Sequence, residues 1–373
     1  MTNKKICIAF LGNPYHDSRV TNLYDSLKQD GFEVSVISFD WFTTQNYSNE
    51  KYLIHKLSRK QGSLLFYLSF CLKLFISLSK TNADIFFAED IYTLPFVVFW
   101  AKLKKAKVFY NSREIYAFIG GLRNKPTVQK IITAIEKFFI KKVDLVLTTG
   151  EMDTEFLKNF YSINNVITVR NIPLYQKAEN KFDFRKQFLI PNDFKILLYQ
   201  GILIDGRGIQ KIIEAIKNIP NVVFILLGEG AEKEKFIRIA KENKVSERVF
   251  FAGSFPQNEL INYTSAADIG LALIENISIS YYHALPNKLF EYIMAELPII
   301  SCDLPQMKNI VEKYKVGKVV NVDSIEEIVN AINELVNDEK KLLECKSNCI
   351  IAAKELNWQN EYQFLQKEIM RFI

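Results

Sequence analysis

The chain has 373 residues, of which 49% are hydrophobic, 13% aromatic and 24% charged, with a formal net charge of +6. This composition excludes a disordered, collagen-like or disulfide-knotted chain, and the length calls for two domains or three. The basic excess is mild. The largest lysine cluster (Lys102, Lys104, Lys105, Lys107) lacks an interleaved aromatic platform, so no nucleic-acid partner is expected. Attraction to an anionic membrane surface or to phosphorylated substrates fits the charge equally well.

The first half alternates buried strands with helices. It reads ICIAFLG, a helix from Ser18 to about Gln29, VSVISF, a helix from about Ser63 to Ser79, DIFFAE, a helix near Leu94–Lys104, and KVFYN. A helix near Val128–Phe139, the strand DLVLTT, a short helix and VITV follow. A polar stretch, YQKAENKFDFRKQF, interrupts the rhythm between Pro173 and Pro191. The second half restarts with KILLYQG, a helix Ile209–Ile219, VVFILLG, a helix Glu232–Asn243, VFFAG, a short helix near Asn258–Ala266 and DIGLALI. A helix Asn287–Ala295, the strand PIISC and helices from about Ile325 to Phe372 complete the chain. Apolar runs of this length separated by helical patterns read as parallel sheets covered on both faces. The expected class is α/β, with two Rossmann-like doubly wound parallel-sheet domains facing a central cleft. The expected boundaries are 1–172 for the N-terminal domain, 173–193 for a linker, 194–355 for the C-terminal domain, and 356–373 for a helix returning to the N-terminal domain.

Five cysteines (Cys7, Cys71, Cys302, Cys345, Cys349) form no CxxC pair, and three histidines (His16, His55, His283) are too scattered for a zinc site. The cysteines read as structural thiols in a reducing compartment. The opening MTNKKICIAFLG starts directly on a strand, so no signal peptide is expected. The apolar run Gly62–Ser79 is interrupted by Lys73 and is short for a span. It reads either as a helix packed on the sheet or as a surface helix dipping into lipid beside Lys56, Arg59 and Lys60. The expected location is cytoplasmic, with a peripheral contact on the inner membrane face held open.

Ligands of open parallel sheets bind outside the carboxyl ends of the strands. There the second half places Gly201, then Gly206-Arg207-Gly208 before a helix, then Gly228-Glu229-Gly230 and Gly253. None completes GxGxxG, which argues against a dinucleotide fingerprint. These glycines either make strand-to-helix turns or let a diphosphate approach backbone amides beside Arg207. The most informative segment is LPNKLFEYIMAELP, from Leu285 to Pro298. Pro286 can open a helix, which puts Asn287 and Lys288 at its positive end and Glu291 one turn further. Leu289, Phe290 and Ile293 then face the core. Lys288 and Glu291 are either phosphate and ribose ligands or a solvated pair three residues apart.

Taken in order, YQG with Arg207-Gly208-Ile209, LLGEG, VFFAGSFPQNEL and PNKLFEYIMAELPII resemble retaining glycosyltransferases of the GT-B architecture, specifically glycosyltransferase family 4 of the bacterial surface-polysaccharide type. In the first half HDSRVTNLYDSLKQDGFEVSVIS, AEDIYTLP and YNSREIY are similar to that family's N-terminal landmarks. The resemblance implies a hexosyltransferase whose nucleotide-sugar donor is held by the C-terminal domain and whose glycan or lipid-linked acceptor is held by the N-terminal domain. It implies that Arg207 binds the diphosphate, that Lys288 and the amides from Asn287 to Leu289 complete the phosphate site, and that Glu291 holds the ribose. Gly201, Gly228, Gly230 and Gly253 would form the donor loops, and His283 would stand near the donor sugar. Gly12 would let the acceptor-side loop approach the donor. Read from the residues themselves, Asp17 and Arg19 after the first strand either reach the acceptor side or form a helix cap with a solvated arginine, and Glu114 at the end of KVFYN is a further acceptor-side candidate. Arg113 either joins Arg207 and Lys288 as a catalytic group or turns outward with Glu114. Three positions depart from the family pattern. His283 stands where many members have glutamate, Ile202 replaces a basic residue after Gly201, and Arg113 replaces a histidine. With no metal-diphosphate motif, no obligatory metal or other cofactor is expected. The alternatives are a degenerate nucleotide-sugar-binding protein and a sugar-nucleotide epimerase of the same fold.

Overall fold

The computed structural model describes residues 4–43, 51–60 and 62–372. The chain divides into two compact units, one comprising Met1–Arg170 with Glu361–Ile373 and the other Asn171–Asn360.

In the first unit the chain runs β1 (Lys5–Ala9), α1 (Ser18–Gln29), β2 (Glu33–Asp40), β3 (Leu53–Lys56), α2 (Ser63–Lys80), β4 (Ile85–Ala88) and α3 (Leu94–Leu103). It continues as β5 (Lys107–Ser112), α4 (Pro126–Ile140), β6 (Leu145–Thr148), α5 (Glu151–Tyr161) and β7 (Val166–Thr168). The strands form one parallel sheet in the order β3-β2-β1-β4-β5-β6-β7. Strands such as IFFA and LVLT are buried along their whole length, as a sheet covered on both faces requires. Strand β3 was not expected from sequence. LIHK is short, half-exposed and at the sheet edge, so it carries neither a continuous apolar run nor an alternation.

The second unit contains α6 (Phe184–Phe188), β8 (Lys195–Gln200), α7 (Ile209–Ile216), β9 (Val222–Leu227), α8 (Lys233–Glu242), β10 (Val249–Gly253), α9 (Leu260–Thr264) and β11 (Ile269–Ala272). Then come α10 (Ile279–Tyr282), α11 (Asn287–Met294), β12 (Ile299–Cys302), α12 (Pro305–Tyr314), β13 (Gly317–Val320), α13 (Ile325–Asn337), α14 (Glu339–Glu355) and α15 (Trp358–Met370). Its parallel sheet has the order β10-β9-β8-β11-β12-β13. In each sheet the strand order reverses, between β1 and β4 and between β8 and β11. Such reversal points are where open sheets leave room for ligands.

The stretch 173–193 is not a free linker. Phe184 is buried in the core of the second unit, and the Phe182 and Tyr263 rings lie 4.6 Å apart. Its polar residues face outward while spaced phenylalanines face in, a pattern too sparse to read as an element. The last helix joins the first unit from Glu361 onward. There Tyr362 donates to Asp30 at 2.5 Å, and Arg170 pairs with Glu361 at 2.9 Å.

Candidate functional site

In the second unit the site is built on the carboxyl end of β8. Gly201 takes φ +133°, a region that favours glycine. A side chain at Gly228 would place its Cβ 1.9 Å from the Gly201 carbonyl oxygen. Glycine is therefore required at Gly228 for the ends of β8 and β9 to touch. The contact is sealed by backbone bonds from Gly201 to Leu227, Leu203 to Glu229 and Gly228 to Gly253. Gly228 and Gly230 thus face the 201–203 loop, and with Gly253 they form a rigid floor beneath Gly201.

Helix α11 is fixed against this floor from below. Leu289, Phe290, Tyr292 and Ile293 are all fully buried. The Tyr292 hydroxyl accepts from the Gln200 amide at 3.1 Å, which ties the helix to the last residue of β8. Pro286 is the cap of α11 and not its first helical residue. Leu289 contributes differently from expectation. Its side chain is core and its amide donates to the Pro286 carbonyl at 3.1 Å, so the free first-turn amides are those of Asn287 and Lys288.

This arrangement directs Lys288 toward Gly201. The side chain is only 7% exposed, and its Nζ has no hydrogen-bond partner. The amine sits 3.7 Å from the centroid of the Tyr199 ring, and a Cβ on Gly201 would lie 3.5 Å from it. Burial lowers its pKa well below the usual lysine value, and the nearby Arg207 cation lowers it further, opposed in part by Glu291. Arg207 lies over the Tyr281 ring, 4.7 Å from its centroid. Two basic side chains that feel each other's charge, one of them buried, can hold a multiply charged anion.

Glu291 accepts from Gln200 at 2.5 Å and from Gln257 at 3.0 Å, and Gln200 in turn accepts from Thr264 at 2.7 Å. Burial raises the Glu291 pKa against the pull of these bonds and of Lys288. Lys288 and Glu291 are therefore not a solvated surface pair. Sequence reasoning missed Tyr199, Gln200, Gln257 and Thr264. Gln200, adjacent to Gly201 at a strand end, carried the one readable signal. His283 caps α10, its carbonyl accepts from Gln306 at 2.5 Å, and its ring lies 5.9 Å from that of Tyr282.

In the first unit the predicted acceptor-side residues gather at the carboxyl ends of β1, β4 and β5, with two corrections. Arg19 does not point outward. It is 2% exposed and donates to the Val169 carbonyl at 3.0 Å and to Asn111 at 2.8 Å. Burial pulls its pKa down to about 10. It is an interior clamp, drawn in because β5 and the chain after β7 supply the acceptors it needs. Arg113 is neither an outward-turned residue nor an uncommitted cation. It bonds Asp17 at 2.5 Å and the fully buried Glu89 at 2.7 Å. Burial works against its charge, and the two carboxylates more than offset this, leaving its pKa raised. Asn111 also donates to Glu89, at 2.8 Å, joining the Arg113 and Arg19 clusters into one network. Asp17 caps α1 through the Val20 amide, and Asp90 caps the following turn through Thr93. Gly12 accepts from the Phe39 amide, and Glu114 is exposed. Among the described residues no group of three or more His, Cys, Asp or Glu side chains is arranged to hold a metal.

Residues 180–353 match the family model described as glycosyl transferases group 1. The chain is 22% identical over 260 residues to the chitobiosyldiphosphodolichol beta-mannosyltransferase of Candida albicans, covering 64% of this chain and 56% of that protein. It is 26% identical over 148 residues to the lipopolysaccharide core biosynthesis glycosyltransferase LpsE of Rhizobium meliloti, covering 40% and 41%. The chain therefore spans about half the length of these relatives. Among solved structures, Anabaena Alr3699/HepE in complex with UDP-glucose superposes with a TM-score of 0.74 at 14% identity, covering 98% of this chain and 99% of that one. The fold is that of GT-B glycosyltransferases, with two Rossmann-like parallel-sheet domains. The family model covers slightly less than half of the chain, and both relatives are named as glycosyltransferases.

Proposed function

We propose that the protein moves a sugar from a nucleoside-diphosphate sugar to a glycan or lipid-linked acceptor, with retention of anomeric configuration, in the assembly of a surface polysaccharide. The observation that carries this reading is the buried Lys288 amine on the first turn of α11, without a hydrogen-bond partner and near Arg207 and Gly201. A diphosphate supplies the negative charge that this pair lacks. Glu291, already oriented by Gln200 and Gln257, is the acceptor for ribose hydroxyls. HepE was solved with UDP-glucose bound, which supports the donor class. LpsE is named for lipopolysaccharide core biosynthesis, which supports the destination.

The chemistry follows from where charge develops. The bond between the anomeric carbon and the diphosphate oxygen breaks, and charge builds on the departing phosphate. Arg207, Lys288 and the first-turn amides stabilise that charge, and preorganised donors of this kind are worth most in a dry site. The acceptor hydroxyl oxygen bonds to the anomeric carbon from the same face, and its proton passes to the departing phosphate oxygen. Two cations in place make a metal unnecessary for this step. The reading places the enzyme in the reducing cytoplasm, where its free cysteines persist.

The test is a panel of nucleotide sugars with acceptor glycans, measuring released nucleoside diphosphate and sugar transfer. Acceptor-dependent release supports the proposal. Interconversion of the donor without release would make the protein an epimerase, and binding without either reaction a non-catalytic module.

A further inference from the structure

The first unit carries an apolar face that its own core does not use. Helix α2 spans 18 residues with a mean hydropathy of 1.4. One stripe, Phe66, Phe70, Leu74 and Leu78, is buried in the unit. His55 bonds Ser77 at 2.7 Å and Lys73 donates to the Lys56 carbonyl at 2.6 Å, fixing the helix against β3. The opposite side is equally apolar and open, with Leu64 74% and Leu72 62% exposed. The face continues onto α3 and α4, where Leu103 is 63% and Phe138 58% exposed. The rings of Phe75 and Phe99 lie 5.8 Å apart. Phe75, Phe96, Phe99 and Phe138 line an open groove of about 640 Å³ with Lys102 and Lys142 among its walls. Soluble monomers rarely leave so contiguous an apolar surface without a partner.

We infer that this three-helix face is a docking surface for an anionic lipid bilayer, with the helices lying in the membrane interface. Charge complementarity selects this occupant. Across α2, α3 and α4 the only acidic residue is Glu136, which is buried and bonded by Tyr110 and Tyr161. The basic residues Lys80, Lys102, Lys130, Lys137, Lys141 and Lys142 stand on the same helices or at their ends and are all exposed. Lys142 Nζ lies 3.5 Å from the Phe138 ring centroid, so a cation already rides above the apolar floor, as snorkelling side chains do at lipid interfaces. Asp144, near this rim, is engaged by Lys107 and Lys102. The buried stripe of α2 holds the helix on the sheet, so the geometry is that of a helix resting on a bilayer, not crossing it. The inference stands apart from donor binding in the second unit and can fail without it.

The experiment is co-sedimentation of the full chain with phosphatidylcholine vesicles, with and without phosphatidylglycerol, at low and high salt. Binding to the anionic vesicles that falls as salt rises is expected. Leu72→Glu and Phe138→Glu, both at exposed positions, should each weaken that binding about tenfold or more, since each replaces an inserting apolar side chain with a charge. The charge reversals Lys102→Glu and Lys142→Glu should weaken it while every apolar side chain of the face is kept. Nucleoside diphosphate affinity should stay unchanged in all four. No binding to anionic vesicles at low salt, or equal binding by the variants, would overturn the inference. So would salt-insensitive binding to pure phosphatidylcholine. Self-association abolished by Leu72→Glu in a protein that ignores vesicles would also overturn it and assign the face to a second copy.

Discussion

Lys288 Nζ rests 3.7 Å above the Tyr199 ring with no hydrogen-bond partner, at the carboxyl end of the strand that closes on Gly201. The ring quadrupole offers weak compensation for a buried cation, so the folded protein without ligand bears an electrostatic cost at this point. Lys288→Met should therefore raise the thermal midpoint of the ligand-free protein by a few degrees, as relief of about 1–3 kcal/mol implies. The sign of the pH dependence follows from the lowered amine. The folded state holds fewer protons than the unfolded chain between the lowered value and 10.5. The cost is complete below that interval and fades as pH rises through it. The advantage of the variant in a melting series should thus shrink toward alkaline pH. An advantage that grows with pH would contradict the lowered amine.

Arg207 is expected to act on the leaving group. Loss of one preorganised donor to developing charge costs about 2.7–4 kcal/mol, or roughly 100- to 1000-fold in rate. Arg207→Ala should lower kcat for transfer by that order in a protein that melts like wild type. Wild-type turnover in this variant would remove Arg207 from the diphosphate site.

Glu291 should accept hydrogen bonds from the ribose. A hydrogen bond to a charged group contributes about 1.5–3 kcal/mol. Glu291→Ala should weaken nucleoside diphosphate binding about 10- to 100-fold by calorimetry, while the corresponding free diphosphate binds nearly as before. Equal losses for both ligands would place Glu291 at the phosphate.

Arg113 tests a different balance. Removing one partner of a buried ion pair costs about 3–5 kcal/mol, because the other charge is left uncompensated. Arg113→Ala should destabilise the protein strongly through Glu89, which is fully buried. Adding Glu89→Gln should recover much of that loss in denaturant unfolding. An Arg113→Ala protein as stable as wild type would show that the pair carries no such load.

Metal removal should leave transfer unchanged under the proposed function, in which Arg207 and Lys288 supply the positive charge at the phosphate. Assay in excess chelator checks this, and complete loss of activity would contradict it.

The strand-helix alternation and α11 were legible because parallel sheets write continuous apolar runs and α11 carries its buried face in Leu289, Phe290 and Ile293. The boundaries of α1 follow directly from Asp17 as cap and the spacing of Val20, Leu23 and Leu27. The Arg113 network was not legible. Its partners Asp17 and Glu89 lie 96 and 24 residues away and meet because parallel pairing brings the ends of β1, β4 and β5 to one edge. Lys288 was readable as a helix-start cation. Its burial was not, since that depends on Tyr199 and Gly201 from a strand nearly ninety residues earlier.

The most direct test of the account is calorimetric titration of a nucleoside diphosphate, UDP first and GDP second, into wild type and Lys288→Met. Runs at mildly alkaline pH in two buffers of different ionisation enthalpy give the proton balance. The account predicts that wild type binds the nucleoside diphosphate and that Lys288→Met loses most of the affinity; any proton exchange linked to Lys288 is an uptake, because an incoming anion raises the lowered amine, and it is absent from Lys288→Met. Equal affinity in the two proteins, with no proton uptake in either, would contradict it.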